Sequence, residues 1–166
     1  NLIPFSITIH AVSALAILAF LVMLMQYFEG SKTAISKSLR AWLIASLTIA
    51  FLQLVLGTQV REAVDIALEA GIARIDLMHS LPKWWGIHKS AVWVIIVVHA
   101  IWAIPMLKFP RLALYAKLTI AILLSQTLTG VLFTQFGFPA FAQPIHIILG
   151  FALILVDLRI LLASKS

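Results

Sequence analysis

Long apolar runs separated by short polar segments dominate this chain. Five runs reach the roughly 20 residues that an α-helix needs to cross about 30 Å of hydrocarbon. They cover residues 2–28, 41–60, 87–107, 112–136 and 144–163. The pattern therefore predicts an all-α integral membrane protein with five transmembrane helices.

Composition supports this prediction and narrows the class of partner. Of the 166 residues, 63% are hydrophobic and only 11% are charged, whereas a soluble domain carries about 25% charged residues. The surplus apolar surface must face a lipid bilayer. The formal net charge is +6, but the basic residues lie in short connections, so nucleic acid is not an expected partner. The chain has no cysteine, which excludes disulfide, thiolate and iron–sulfur chemistry.

Positive charge is concentrated in alternate connections. Residues 29–40, residues 108–111 and the C-terminal segment are net positive, whereas residues 61–86 balance basic against acidic side chains. The positive-inside rule then puts the N-terminus outside and the basic connections in the cytoplasm or the mitochondrial matrix. Residues 61–78 are predicted to form an amphipathic helix near the outer surface.

A repeat links the five predicted helices. Three of them begin with the same dipeptide, at Ile9-His10, Ile87-His88 and Ile145-His146. The two between them share a Gln-x-x-x-Gly motif, at Gln53 and Gly57 and again at Gln126 and Gly130. The alternation indicates repeated helix pairs, and two such pairs make a four-helix bundle.

The repeat also predicts how the chain divides. Residues 41–166 complete one four-helix bundle after a cytoplasmic linker at residues 29–40. Residues 1–28, which carry His10, correspond to the last helix of a preceding bundle, which we expect to lie outside this chain.

Two histidines are predicted to meet inside the bundle. His88 and His146 each lie near the same membrane face, on helices that run in the same direction. Two neutral imidazoles at one depth can supply both axial ligands of a six-coordinate haem iron, with the ring between helices. Gly57 and Gly130 would leave room for that ring. The pattern therefore predicts a haem site with two axial histidines.

The haem propionates need partners at the outer surface, where water and cations lower their desolvation cost. Arg61, at the outer end of the second helix, and Lys89, beside a ligand, are the predicted partners.

Each of these residues also has a purely structural interpretation. A histidine near an interface can extend to water, a glycine can permit close helix packing, and a glutamine can hydrogen-bond between helices. Arg61 and Lys89 can anchor helix ends at the headgroups, and His10 can cap a lipid-facing helix. His79, in the second connection, is expected to be solvated.

A second polar level is predicted deeper in the bundle. His99 follows His88 by eleven residues, which returns it to within about 20° of the same helix face, roughly 16 Å deeper. Asp157 follows His146 by the same interval. Buried ionisable residues in membranes are usually paired, so a His99–Asp157 hydrogen bond is expected. Because the fifth helix offers no histidine at this depth, a second haem is not expected.

Several short motifs occur together along the chain. They are Gln53-x-x-x-Gly57-Thr58-Gln59-Val60-Arg61-Glu62, His88 followed by Lys89, Gln126-x-x-x-Gly130, and His146 after a loop with Pro139 and Pro144. In these motifs the chain resembles the haem A synthase family, cytochrome oxidase assembly enzymes that convert haem O to haem A. Family members have eight helices in two related four-helix bundles, each with a histidine pair. The resemblance implies that residues 41–166 form the second bundle and that His10 ligates the haem iron of the absent first half.

The resemblance also implies a division of labour. In the family, the first half oxidises the substrate haem beside a glutamate three residues before a histidine, and the second half holds haem b. Here Trp85 precedes His88 and Gln143 precedes His146 at that spacing. The chain is therefore expected to carry no catalytic residue, although it belongs to an oxidoreductase. Some members also carry paired cysteines, which this chain lacks.

The same resemblance implies a location and partners. The location is the bacterial cytoplasmic membrane or the mitochondrial inner membrane. The implied partners are haem, the lipid bilayer, and haem O synthase or cytochrome oxidase assembly factors. Two alternatives stay open: a transmembrane b-type cytochrome that carries electrons in a quinone or ferric reductase, and a non-haem membrane assembly subunit whose histidines are structural.

Overall fold

The computed structural model describes residues 5–166, and helices account for most of them. The elements in chain order are α1 (Ser6–Glu29), β1 (Thr33–Ala34), α2 (Lys37–Glu69), α3 (Leu77–Ser80), α4 (Trp84–Met106), α5 (Pro110–Phe136), α6 (Ala142–Leu162) and β2 (Ser164–Lys165). Within the described residues, the five long helices are apolar enough to cross a membrane, judged by length and composition. The predicted all-α, multi-pass membrane class is therefore confirmed.

The second helix is longer than its apolar run. It starts at Lys37 because the Ser36 side chain caps it, accepting a hydrogen bond from the Leu39 amide. It continues to Glu69, and the salt bridge between Arg61 and Asp65, 2.6 Å long, joins two successive turns beyond the apolar run. The amphipathic helix predicted at 61–78 is thus partly wrong: its first half is the end of α2, and a turn at Arg74–Asp76 leads into α3.

Four helices enclose a common core. Helix α2 packs against α4 and α6, and α5 packs against the same two helices, so α4 and α6 lie diagonally across the bundle. Helix α1 packs on the outside, against α2 and α6, and buries few of its side chains. A hydrogen bond of 2.7 Å between the Thr8 and Thr58 hydroxyls joins it to α2. The assignment of α1 to another bundle stays a prediction.

The two ends of the bundle are packed separately. We call the end where α4 and α6 begin the histidine end, and the other the opposite end. Leu43, Trp102, Met106 and Ile160 fill the opposite end, and Val64, Leu77, Phe133 and Phe138 fill the histidine end. For the side chains within the bilayer, where lipid is equally apolar, the contribution is close packing rather than removal from water.

A pair of short strands joins two segments of the chain at the opposite end. Strands β1 and β2 pair in parallel, with Thr33 opposite Ser164. Arg40 adds hydrogen bonds to the carbonyl oxygens of Leu161 and Ser164. The segment after α1 is thereby tied to the segment after α6. Each strand has only two residues, so the fold remains essentially all-α.

The loop between α5 and α6 is docked on the turn before α3. Gly137 ends α5 with a left-handed φ of 65°, and a Cβ atom there would lie 2.7 Å from the carbonyl oxygen of Arg74. The Arg74 guanidinium in turn donates to the Phe138 carbonyl oxygen at 2.8 Å. The position therefore requires glycine for both its conformation and its space.

We predict that Gly137→Ala destabilises the protein more than Gly30→Ala. Both glycines have a left-handed φ, but a Cβ at Gly30 meets no atom within 4 Å. Gly30→Ala should cost about 1–2 kcal/mol, the conformational penalty alone. Gly137→Ala should add roughly 1–3 kcal/mol for the clash with the Arg74 backbone. Unfolding titrations in mixed micelles measure both, and equal losses would contradict the docking described above.

Candidate functional site

The structure brings His88 and His146 together. Each is the fifth residue of its helix, in α4 and α6 respectively, and both helices begin at the histidine end. Their ring centroids lie 6.4 Å apart, with the ring planes at 64°. The matched depth inferred from the repeat thus corresponds to a close approach across the diagonal of the bundle.

In length, this separation matches that of two imidazoles bound to one metal atom. An iron–imidazole bond is about 2 Å and the ring centre lies about 1.2 Å beyond the nitrogen, so two axial imidazoles have centroids about 6.3 Å apart. In residues 5–166 no group of three or more His, Cys, Asp or Glu side chains could hold a bare ion. Two histidines suffice where a macrocycle supplies the remaining ligands, as in haem.

Thr129 orients the ring of His146. The Thr129 hydroxyl lies 2.7 Å from His146 Nδ1 and donates to the Gln126 carbonyl oxygen at 2.9 Å. With the hydroxyl proton donated to that carbonyl oxygen, the threonine oxygen can accept from Nδ1–H of His146, which leaves the Nε2 lone pair free. This is the arrangement of a metal-ligating histidine, whose second nitrogen donates to a fixed partner.

His88 is held by its backbone and by stacking. Gln53 Nε2 donates to the His88 carbonyl oxygen at 2.6 Å, and the Trp85 ring stacks on the imidazole at a centroid distance of 6.2 Å. The Nδ1 atom of His88 is buried and has no hydrogen-bond partner within the described part of the chain. Buried polar atoms are usually paired, so His88 lacks the fixed partner that Thr129 provides for His146.

The two Gln-x-x-x-Gly motifs serve the two histidines in turn. A Cβ at Gly57 of α2 would lie 3.0 Å from Cε1 of His88, and one at Gly130 of α5 would lie 3.8 Å from Cε1 of His146. Each motif therefore faces the histidine of the next long helix. At Gly57 the space is required, because a methyl group would push the ring; at Gly130 it would make an ordinary contact.

A cavity of about 320 Å³ surrounds the two rings, within the range of roughly 300–1,000 Å³ for ligand pockets. All four bundle helices line it, and its walls are mostly apolar. Ile95 and Leu153 lie toward the opposite end of it, and Trp85 and Phe138 toward the histidine end. Among the described residues, its charged lining side chains are Arg61 and Lys89, with no carboxylate.

Arg61 is placed where the cavity meets the histidine end. It hydrogen-bonds the side-chain oxygen of Gln143, pairs with Asp65 at 2.6 Å and keeps about a third of its side chain exposed. Gln143 in turn donates to the Phe138 carbonyl oxygen at 3.1 Å. Lys89 is exposed and also lines the cavity. Both predicted propionate partners therefore lie at the cavity.

The other sequence-predicted histidines lie elsewhere. His10 is exposed on α1 and does not line the cavity, and His79 is exposed in α3. The role of His10 as a ligand in another bundle stays a prediction.

The predicted hydrogen bond between His99 and Asp157 is confirmed. His99 Nε2 lies 2.9 Å from Asp157 Oδ2, and the side chains are 1% and 0% exposed. Thr119 donates to the other carboxylate oxygen at 3.2 Å. Because these side chains bind each other, His99 is not placed to ligate a second haem, and the described residues form one histidine-pair level.

Sequence reasoning missed Thr129 and Thr119 and gave Gln143 no polar contact. Thr129 lies three residues after Gln126, in the motif turn that faces His146, and Gln143 lies one turn before that histidine. Their positions relative to the motif residues were the available signal.

No protein-family model, curated protein or solved structure matches this chain.

On the predicted haem site, Gly57→Ala should weaken haem binding by displacing the His88 ring, whose Cε1 atom a Cβ would approach to 3.0 Å. Gly130→Ala should have a smaller effect, since the corresponding contact is 3.8 Å. Gly86→Ala is the matched control, because a Cβ there meets nothing within 4 Å. Haem titration of the purified variants gives the order. Equal affinities for the Gly57 and Gly86 variants would contradict the proposed packing.

Proposed function

We propose that the bundle of α2, α4, α5 and α6 binds one haem b, with His88 and His146 as axial ligands, as the haem-carrying half of a membrane haem A synthase. The observation that carries the proposal is the 6.4 Å separation of two rings inside an apolar cavity. When bound with two axial histidines, haem exchanges single electrons and offers no open coordination position.

The protein side chains have distinct tasks in this proposal. Thr129 holds His146 with Nε2 free, and Gln53 and Gly57 set the position of His88. The apolar walls exclude water from the ring. Arg61 and Lys89 would hold the propionates at the histidine end, which we assign to the outer side of a bacterial cytoplasmic or mitochondrial inner membrane.

The lining of the cavity supports a carrier role for this half. In the described residues no aspartate or glutamate lines the cavity, so no carboxylate there could take up a proton during oxidation of a haem methyl group. We therefore assign the conversion of haem O to haem A to a part of the enzyme outside this chain. The motifs that resemble haem A synthases support the same assignment.

A transmembrane b-type electron carrier is the second candidate, since two axial histidines serve it equally well. Such a carrier usually needs redox groups at both faces of the bilayer, and here the deeper level is filled by the bonded pair of His99 and Asp157. In cells that accumulate haem O, the natural polypeptide carrying this sequence should yield haem A on extraction and chromatography. Unchanged haem O, with reduction of the bound haem by quinol, would favour the carrier.

His88→Ala and His146→Ala should each abolish the low-spin haem b spectrum, because one axial ligand is lost in each. His79→Ala and His10→Ala should leave it intact, since both rings are exposed away from the cavity. Absorption spectra of the purified, reduced proteins test this. A wild-type protein without a Soret band would favour the non-haem assembly subunit, and loss of the spectrum in the His79 variant would contradict the ligand assignment.

Arg61→Gln should lower the haem midpoint potential, because a cation near the propionates favours the reduced, less positive haem. It should also weaken haem binding by about 1.5–3 kcal/mol, the value of a hydrogen bond to a charged group. Lys83→Gln is the control, since Lys83 is exposed and does not line the cavity. Potentiometric titration decides: equal potentials in the two variants would show that Arg61 does not contact the propionates.

A further inference from the structure

Helices α4 and α6 place side chains opposite each other at two levels with the same spacing. His99 follows His88 by eleven residues, and Asp157 follows His146 by eleven. Eleven residues return to nearly the same helix face about 16 Å further along. The His88–His146 pair therefore lies at the histidine end of these parallel helices, and the His99–Asp157 hydrogen bond lies deep in the bundle, on nearly the same helix faces.

The His99–Asp157 hydrogen bond connects α4 directly to α6, two helices that otherwise make few contacts with each other. Helices α4 and α6 pack mainly against α2 and α5, on either side of the diagonal. Within residues 5–166, the bond between His99 and Asp157 is the one side-chain hydrogen bond that joins α4 to α6. Backbone packing between these two helices therefore contributes little to their axial register.

His99 and Asp157 each have a second hydrogen-bond partner besides each other. His99 Nδ1 lies 2.8 Å from the Ile95 carbonyl oxygen, which can only accept, so Nδ1 carries a proton. The contact of Nε2 with Asp157 Oδ2 then holds one further proton, on either atom, and the pair is neutral overall. Neutrality suits a site in the bilayer core. Thr119 completes the cluster from α5.

The His99–Asp157 hydrogen bond lies next to the cavity, on the side of the opposite end. Ile95 and Leu153, which line the cavity, precede His99 and Asp157 by one helical turn. A slip of one residue between α4 and α6 would displace one ligand by about 1.5 Å, whereas functional groups must be held within about 0.5 Å. A hydrogen bond that fixes α4 against α6 at this depth therefore affects the relative positions of His88 and His146.

We propose that His99 and Asp157 are positioning residues: their hydrogen bond sets the register and rotation of α4 against α6, and so the mutual orientation of the His88 and His146 rings on the haem. This inference rests on the proposed function, because it concerns the geometry of the axial ligands. It assigns no proton transfer and no ligation to the pair.

The test uses Asp157→Leu and Asp157→Asn in the haem-loaded protein. Asparagine can keep both contacts, donating to His99 Nε2 and accepting from Thr119, so its spectra should match the wild type. Leucine removes both. Asp157→Leu should shift the largest g value of the ferric low-spin electron paramagnetic resonance signal, which depends on the angle between the imidazole planes. It should also speed haem loss roughly ten-fold, the lower end for losing a group that orients a metal ligand.

Ser46→Ala is the matched control. It removes a buried hydrogen bond of 2.9 Å, from Trp102 Nε1 to the Ser46 hydroxyl, which joins α2 rather than α6 to α4. It should lower the thermal stability without moving the g values. Thr119→Val, which removes only the contact to Oδ1, should shift them in the same direction as Asp157→Leu but less, and it replaces Asp157→Leu if that variant does not fold.

The outcomes separate this inference from the proposed function. A wild-type protein with no low-spin haem overturns both. A wild-type signal that stays unchanged in Asp157→Leu, or in Thr119→Val where the leucine variant does not fold, overturns the positioning role alone. So does an asparagine variant as perturbed as the leucine one, or an equal shift in Ser46→Ala.

Discussion

The absence of water from the hydrocarbon layer governs this structure, because every polar group inside the bundle needs a partner within the protein. The bonds of His99 with Asp157 and of Trp102 with Ser46 meet that requirement between helices. Among the described residues, four side chains keep a buried unpaired atom: His88 and Gln126 line the cavity, whereas Gln26 and Arg159 do not. Unpaired atoms therefore occur outside the cavity as well, and what distinguishes the cavity is its pair of histidines within apolar walls.

The internal repeat explains how one short motif can build a site. Each Gln-x-x-x-Gly motif lies one long helix before the histidine that it faces, so Gly57 admits His88 and Gly130 admits His146. The two halves are not equivalent in detail. Thr129 binds the ring of His146, whereas Gln53 binds the backbone of His88 and Trp85 stacks on its ring. The repeat therefore sets the positions of the two rings, and local side chains set their orientations.

Much of this arrangement could be predicted from the sequence because helical geometry is regular. The length of an apolar run indicates a membrane span, and an interval of eleven residues carries both depth and face, which is why the bond between His99 and Asp157 was predictable. The end of α2 at Glu69 was not, since apolar runs stop at the bilayer surface while helices continue through charged turns. The pairing of β1 with β2 and the contact of Thr129 with His146 depend on which segments meet in space, and residue types alone do not carry that information.

The asymmetry of charge around the cavity completes the argument for a holding role in the proposed function. Arg61 and Lys89 lie at its histidine end, and the described part of its lining contains no carboxylate. A bis-histidine site needs no acid or base and no open coordination position, because its task is to keep the iron six-coordinate in both oxidation states. It needs rigid ligands, dry walls and compensation for the propionates. Under the proposed function, the deep bond beneath the cavity, the apolar lining of the cavity and the two cations at the end of the bundle correspond to these three needs.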